Sequence, residues 1–188
     1  MLFRSGLLSG TVGGRVDALL MRIVDIFLAF PSLLLALAIG AALGPSLEHA
    51  AIAIVLAWWP WYARLMRGEA VAVRGRGYVE SARLLGLPTI RVALRHVLPN
   101  AAGPVIVQAS LDLGGVILTL AALSFLGLGA QDPTPEWGLM VEQGRVYLTT
   151  QPWVAVAPGV AIMLAALACT LLGEGLRARL DPKGMTRR

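Results

Sequence analysis

One cysteine, one lysine and two histidines in 188 residues leave this chain short of the groups that carry chemistry. Cys169 lies inside an apolar run, so neither a disulfide framework nor a CxxC metal site can be written. A P-loop needs GxxxxGK[ST], but Lys183 follows Pro182, so ATP phosphates are not cradled in that way. His49 and His96 lie far apart in the chain, and no cluster supplies the ligands that zinc requires. The acids are scattered over loops and helix ends, which leaves no Ser/His/Asp set and argues against a membrane enzyme. No catalytic residue, metal ligand or cofactor site is expected. Charge is scarce as well, at 14% of residues against 57% hydrophobic, where globular domains average about 25% and 45–50%.

What is abundant is apolar sequence, with a mean hydropathy of +0.73. A helix crosses the roughly 30 Å hydrocarbon core with about 20 mostly apolar residues. Residues 23–43 meet that length, interrupted only by Asp25, Pro31 and Ser32, and residues 152–172 meet it without a charge. Residues 101–128 are long enough but carry Gln108 and Asp112. A further span at 50–63 requires extension to 47–66, with Glu48, His49 and Arg64 near its ends. The glycine-broken start is too short for a signal peptide, and residues 2–12 read as a partial span. The expected fold is therefore all-α, a polytopic membrane helical bundle with about four full spans plus a partial N-terminal one. It forms a single transmembrane domain over residues 1–188.

The basic pI near 10.3 reports topology and not nucleic-acid binding. Cytoplasmic loops collect Lys and Arg, and placing residues 64–100 inside puts 14 of the 16 basic residues on that side. Arg145 alone falls outside, and Arg4 has no assigned side. Gly6, Gly10 and Gly14, and likewise Gly40 and Gly44, recur at every fourth position, a spacing that lets helix backbones approach closely. Pro133, Pro135, Trp137 and Trp153 mark an outer, interface-seeking loop.

Within the inner loop, Ile90, Ala93, Leu94 and Val97 fall on one helix face, opposite Arg91 and Arg95. Tyr78, Ala82 and Leu85 form a second stripe, and Gly86-Leu87-Pro88 separates the two. Two amphipathic helices with a tight bend must bury their faces on the bilayer, on their own bundle or on a partner. Periodicity alone does not choose among these.

The order Glu80-Ser81-Ala82, Gly86 and His96-Val97-Leu98-Pro99 resembles the EAA loop of permease subunits in binding-protein-dependent ABC importers. The segments MRIVDIFLAFPSLLLALAIG, ALSFLGLG, PTPEWG and LLGEGLRARLDP are similar to the dipeptide, oligopeptide and nickel branch. The resemblance spans nearly the whole chain. It implies half of a translocation path for peptides across the bacterial inner membrane, with nickel or another small solute as the alternative. It further implies a second homologous permease, two ABC ATPase subunits that bind the ATP, and an external solute-binding protein. By motif position, Glu80, Ser81, Ala82, Gly86, Leu98 and Pro99 would couple to the ATPase subunit, with Ser81 replacing the family's first alanine. The family's first span and much of its second have no counterpart here. The expectation is thus an N-terminally truncated permease, with a non-assembling fragment as the other reading.

Three acids near or within spans are weighed separately. An intramembrane carboxylate is a functional candidate by default, and Asp112 either lines the translocation path or, the preferred reading, hydrogen-bonds between helices. Asp25 is expected to pair with Arg22 at i,i+3. Glu174 is expected at the headgroups or beside neighbouring arginines.

Overall fold

A computed structural model describes residues 2–180, and no strand occurs among the described residues. In chain order the helices are α1 (Leu2–Val12), α2 (Gly14–Leu28), α3 (Ser32–Leu43), α4 (Leu47–Arg74), α5 (Gly77–Leu84), α6 (Thr89–Val92), α7 (Leu98–Phe125), α8 (Trp137–Gly144) and α9 (Trp153–Leu180). A π-helical turn, Ala93–Val97, joins α6 to α7 without a break.

Two helices among the described residues have the length and apolarity to cross a membrane, Thr89–Phe125 and Trp153–Ala178. The expected span at 23–43 is interrupted at residues 29–31, so α2 and α3 have a span's length and apolarity only as a bent pair. Pro31 supplies the reason: it lacks an N–H and drives Phe30 out of the helical region. The expected span at 47–66 is helical, but no stretch of α4 is apolar enough, because Arg64, Arg67 and Glu69 follow the Trp58–Tyr62 belt. The polytopic all-helical class holds, with two or three such spans among the described residues in place of four.

The described residues fall into two compact units. The first holds residues 2–30 and Trp58–Ile106. In it α1 lies against α4 so closely that a Cβ on Gly6 would come within 2.9 Å of Met66 Cβ, and one on Gly10 within 2.7 Å of Ala70 Cβ. The expected glycine packing is therefore present at these two positions. Gly14 instead opens α2 with φ +64° and Gly44 caps the end of α3 with φ +89°, and Gly40 makes only ordinary contacts. Helix α2 runs antiparallel to α4, tied by Asp17 to Arg67, Asp25 to Arg64, and Phe27 edge-on to Trp59 at 5.7 Å. Asp25 thus pairs across helices with Arg64 and not along its own helix with Arg22. Proximity in sequence favoured Arg22; the packing of α2 on α4 brings Arg64 closer.

The second unit holds Pro31–Ala57 and residues 107–180. Helices α7 and α9 touch through Gly114, where a Cβ would lie 2.7 Å from the Ala166 carbonyl, and through Gly173 against Ser110. In the SFLGLG segment α7 ends in a Schellman turn: Gly127 has φ +78°, and the Leu128 N–H donates to the Leu123 carbonyl at 2.9 Å. The fully buried Ser124 Oγ accepts the Ala130 N–H at 3.2 Å and closes that turn. In PTPEWG, Glu136 caps α8 by accepting the Leu139 N–H at 2.9 Å, and Gly138 seats flush on Ala121.

Candidate functional site

The segment from α5 to the start of α7 is built on the core of the first unit. Val79 and Ala82 of α5, with Val92 and Val97 beyond the turn, are buried in one cluster with Leu7, Met66, Ala70 and Val73, and Ala93 is buried as well. The faces are rotated from the expected stripes. Of those residues only Ala82, Ala93 and Val97 point inward, whereas Tyr78, Leu85, Ile90 and Leu94 are exposed. Val79 and Val92 take the inward positions beside Met66, Ala70 and Val73 of α4, so the residues on the other side of each helix fall outward. The amphipathic helices therefore use one face on their own bundle and keep a second apolar face free.

The tip of that free face is Leu84 and Leu85, 85% and 83% exposed. Gly86 shapes it. Its φ is +77°, its N–H donates to the Arg83 carbonyl at 2.9 Å, and the Leu87 N–H reaches back to the Ala82 carbonyl at 3.4 Å. This is the Schellman pair of bonds, which the left-handed residue at the centre makes possible. Leu87 then turns inward onto the core beside Ala82, as such turns require. Pro88 stands as the N-cap of α6, one position before the first helical residue.

Glu80 and Ser81 are both exposed. Glu80 lies in the first turn of α5, where a carboxylate suits the positive end of the helix dipole. It also lines an open cleft with Val71, Arg74, Gly75 and Arg83. Ala82, only 6% exposed, is a packing residue. Leu98 packs on the same core, and Pro99 is exposed at the start of α7. The structure accounts for Leu-Pro mechanically. Pro99 has no N–H for the turn before it, and its ring would meet the Arg95 carbonyl in a regular α-helix. The helix widens instead: the Leu98 N–H bonds five residues back to the Ala93 carbonyl. Asn100 Nδ2 donates to the His96 carbonyl at 2.8 Å. Of the six coupling candidates, four thus share α5 and its turn, and two set the π turn that follows.

Asp112 lies elsewhere, half-buried on α7 in the second unit, and accepts a hydrogen bond from Gln108 Nε2 at 2.9 Å, one turn back. Glu174 is exposed on α9. No group of three or more His, Cys, Asp or Glu able to hold a metal occurs among the described residues. Sequence reasoning missed Leu84 and Leu85 as a pair. Their position immediately before a turn glycine was the available signal. It also missed the bidentate Arg67–Asp17 contact, for which no local signal exists.

Residues 4–184 match the model of the family described as binding-protein-dependent transport system inner membrane component. A probable D,D-dipeptide transport system permease protein of Escherichia coli is 51% identical over 178 residues, 95% of this chain and 60% of that protein. A dipeptide transport system permease protein of Alkalihalophilus pseudofirmus is 47% identical over 95% of this chain and 59% of its own length. A glutathione transport system permease protein of Pectobacterium atrosepticum is 43% identical over the same shares. The chain therefore spans about 60% of the length of the curated relatives it matches. With an all-helical fold and the matched segment running almost through it, the chain belongs to the binding-protein-dependent transport system inner membrane components.

Proposed function

We propose that the chain is a permease subunit of an ABC importer, forming half of a translocation path for short peptides across the bacterial inner membrane. The observation that carries this reading is the solvent-facing Leu84–Leu85 tip, held in shape by the Gly86 turn beside exposed Glu80 and Ser81. An apolar tip on a rigid base suits docking into a groove of another protein. Ala82, Leu98 and Pro99 hold that base, so the candidate residues divide into two that meet the ATPase subunit and four that present it. The remaining partners are a second homologous permease, a second ATPase subunit and an external solute-binding protein. Residues 1–188 act as one transmembrane domain, with residues 64–100 inside the cell. The substrate class rests on relatives named for D,D-dipeptide, dipeptide and glutathione transport, all short peptides. For Asp112 the two readings stay a structural hydrogen bond, the preferred one, and a place on the path; its bond to Gln108 lies within α7.

The test is co-purification of ATPase subunits with the tagged chain from native membranes, followed by uptake of labelled dipeptide. Leu84→Ser with Leu85→Ser should abolish ATPase recovery while membrane insertion persists. Glu80→Lys and Gly86→Pro should abolish uptake while ATP hydrolysis continues. Full ATPase recovery by the double serine variant, together with normal uptake by the other two, would sink the coupling assignment.

A further inference from the structure

The loop between α1 and α2 is tied to the docking segment by polar contacts that the family resemblance did not bring forward. Arg67 of α4 grips the Asp17 carboxylate of α2 with both ends of its guanidinium, Nε to Oδ1 and Nη2 to Oδ2, each at 2.6 Å. Fork-to-fork pairing of this kind fixes orientation as well as distance. The fully buried Ser9 of α1 adds its hydroxyl to the same Oδ1. Two turns further along α4, Arg74 lies against the loop itself: a Cβ on Gly13 would sit 3.0 Å from its Nη1. From α5, Arg83 Nη2 donates to the Thr11 carbonyl at 3.3 Å, at the C-terminal end of α1. Carbonyls at a helix end have no partner within the helix, so a cation there answers an otherwise open acceptor.

We propose that Asp17 and Arg67 are positioning residues that lock the α1–α2 elbow to the base of the docking segment, so that elbow and α5 move as one body. This rests on the docking reading for its purpose but not for its test. Three elements converge on the elbow, each through a different side chain: α2 through Asp17, α4 through Arg67 and α5 through Arg83. The apolar contacts of α1 on α4 set the distance between backbones. The charged contacts add orientation: Asp17–Arg67 ties α2 to α4, and Arg83 ties α5 to the end of α1. Coupling of a bound partner to the rest of a protein runs through packed elements with two discrete arrangements, and a locked elbow makes α1–α2 part of the moving element.

The experiment measures distance distributions between spin labels on the full chain in lipid nanodiscs, in a Cys169→Ser background. Labels at Leu19→Cys on α2 and Arg91→Cys on α6, both exposed, report the lock. Labels at Gly68→Cys and Arg91→Cys report the core beneath it. Asp17→Asn should broaden the first distribution at least twofold and leave the second unchanged. Asp17→Glu should restore most of the sharpness. The exchanged pair, Asp17→Arg with Arg67→Asp, should also narrow it again. An unaltered first distribution in Asp17→Asn overturns the proposal. If Asp17→Asn broadens both pairs, the exchanged double variant decides: sharp distributions support the lock, broad ones refute it. No ATPase is present, so a failure of ATPase docking is a separate result and leaves this one standing.

Discussion

Gly86 offers a perturbation whose outcome separates torsion from sterics. Its φ of +77° lies in the left-handed region, yet a Cβ built there meets no atom within 4 Å. The whole penalty of a side chain is thus torsional, about 1–2 kcal/mol for an ordinary residue. That lowers the population of the formed turn by a factor of about 5–30. Asn tolerates this conformation better than other non-glycine residues, so Gly86→Asn should retain most of the turn. Gly86→Ala and Gly86→Leu should lose it to a similar degree, because the space is open to both. Amide hydrogen exchange at positions 86 and 87 reads the effect directly, since these N–H groups make the two turn bonds. Both should exchange about 5–30 times faster in the Ala variant. Wild-type exchange in Gly86→Ala, or a steep decline from Ala to Leu, would refute the torsional reasoning.

Three further substitutions test the packing. Gly6→Ala and Gly10→Ala should each destabilise by about 1–3 kcal/mol through overpacking, since their Cβ atoms would press on Met66 and Ala70. Gly68→Ala, with nothing within 4 Å, should stabilise α4 by about 0.5–1 kcal/mol; thermal unfolding in detergent ranks the three. Ser124→Ala should lower stability by about 1–3 kcal/mol, because the buried Ala130 N–H loses its acceptor. A thermal midpoint equal to wild type would show that this N–H finds another partner.

Composition was enough to read an all-helical membrane protein with a polar loop between apolar runs. Gly86 as a turn and the Gly6–Gly10 contact were legible because each depends on local properties: an αL requirement, or a repeat of small residues. Rotation of the loop helices was not legible. Ala82, Ala93 and Val97 were assigned to the correct face, but Val79 and Val92 take the inward positions in place of Tyr78, Leu85, Ile90 and Leu94, which depends on how the helices pack on α4 and not on their own spacing. The same limit separates Asp25 from its partner. An i,i+3 arginine is visible in a line of text, whereas Arg64 becomes a neighbour only after α2 has packed on α4. Helix α4 misled for another reason. Its length suits a span, but the mixed belt at residues 58–62 and the arginines after it give it two kinds of surface.

The π turn between α6 and α7 makes the end of the loop and a span one uninterrupted rod from Thr89 to Phe125, with no coil between them. A π turn amounts to one residue inserted into an α-helix, and one residue corresponds to about 100° of rotation and 1.5 Å of rise. Relaxing it to regular α-geometry would screw the residues of α7 around by that amount, presenting a different face of the helix. Pro99 stands in the way, because its ring would strike the Arg95 carbonyl in the regular form. The proline therefore acts as a ratchet pawl, holding the register of the helix against slippage within it.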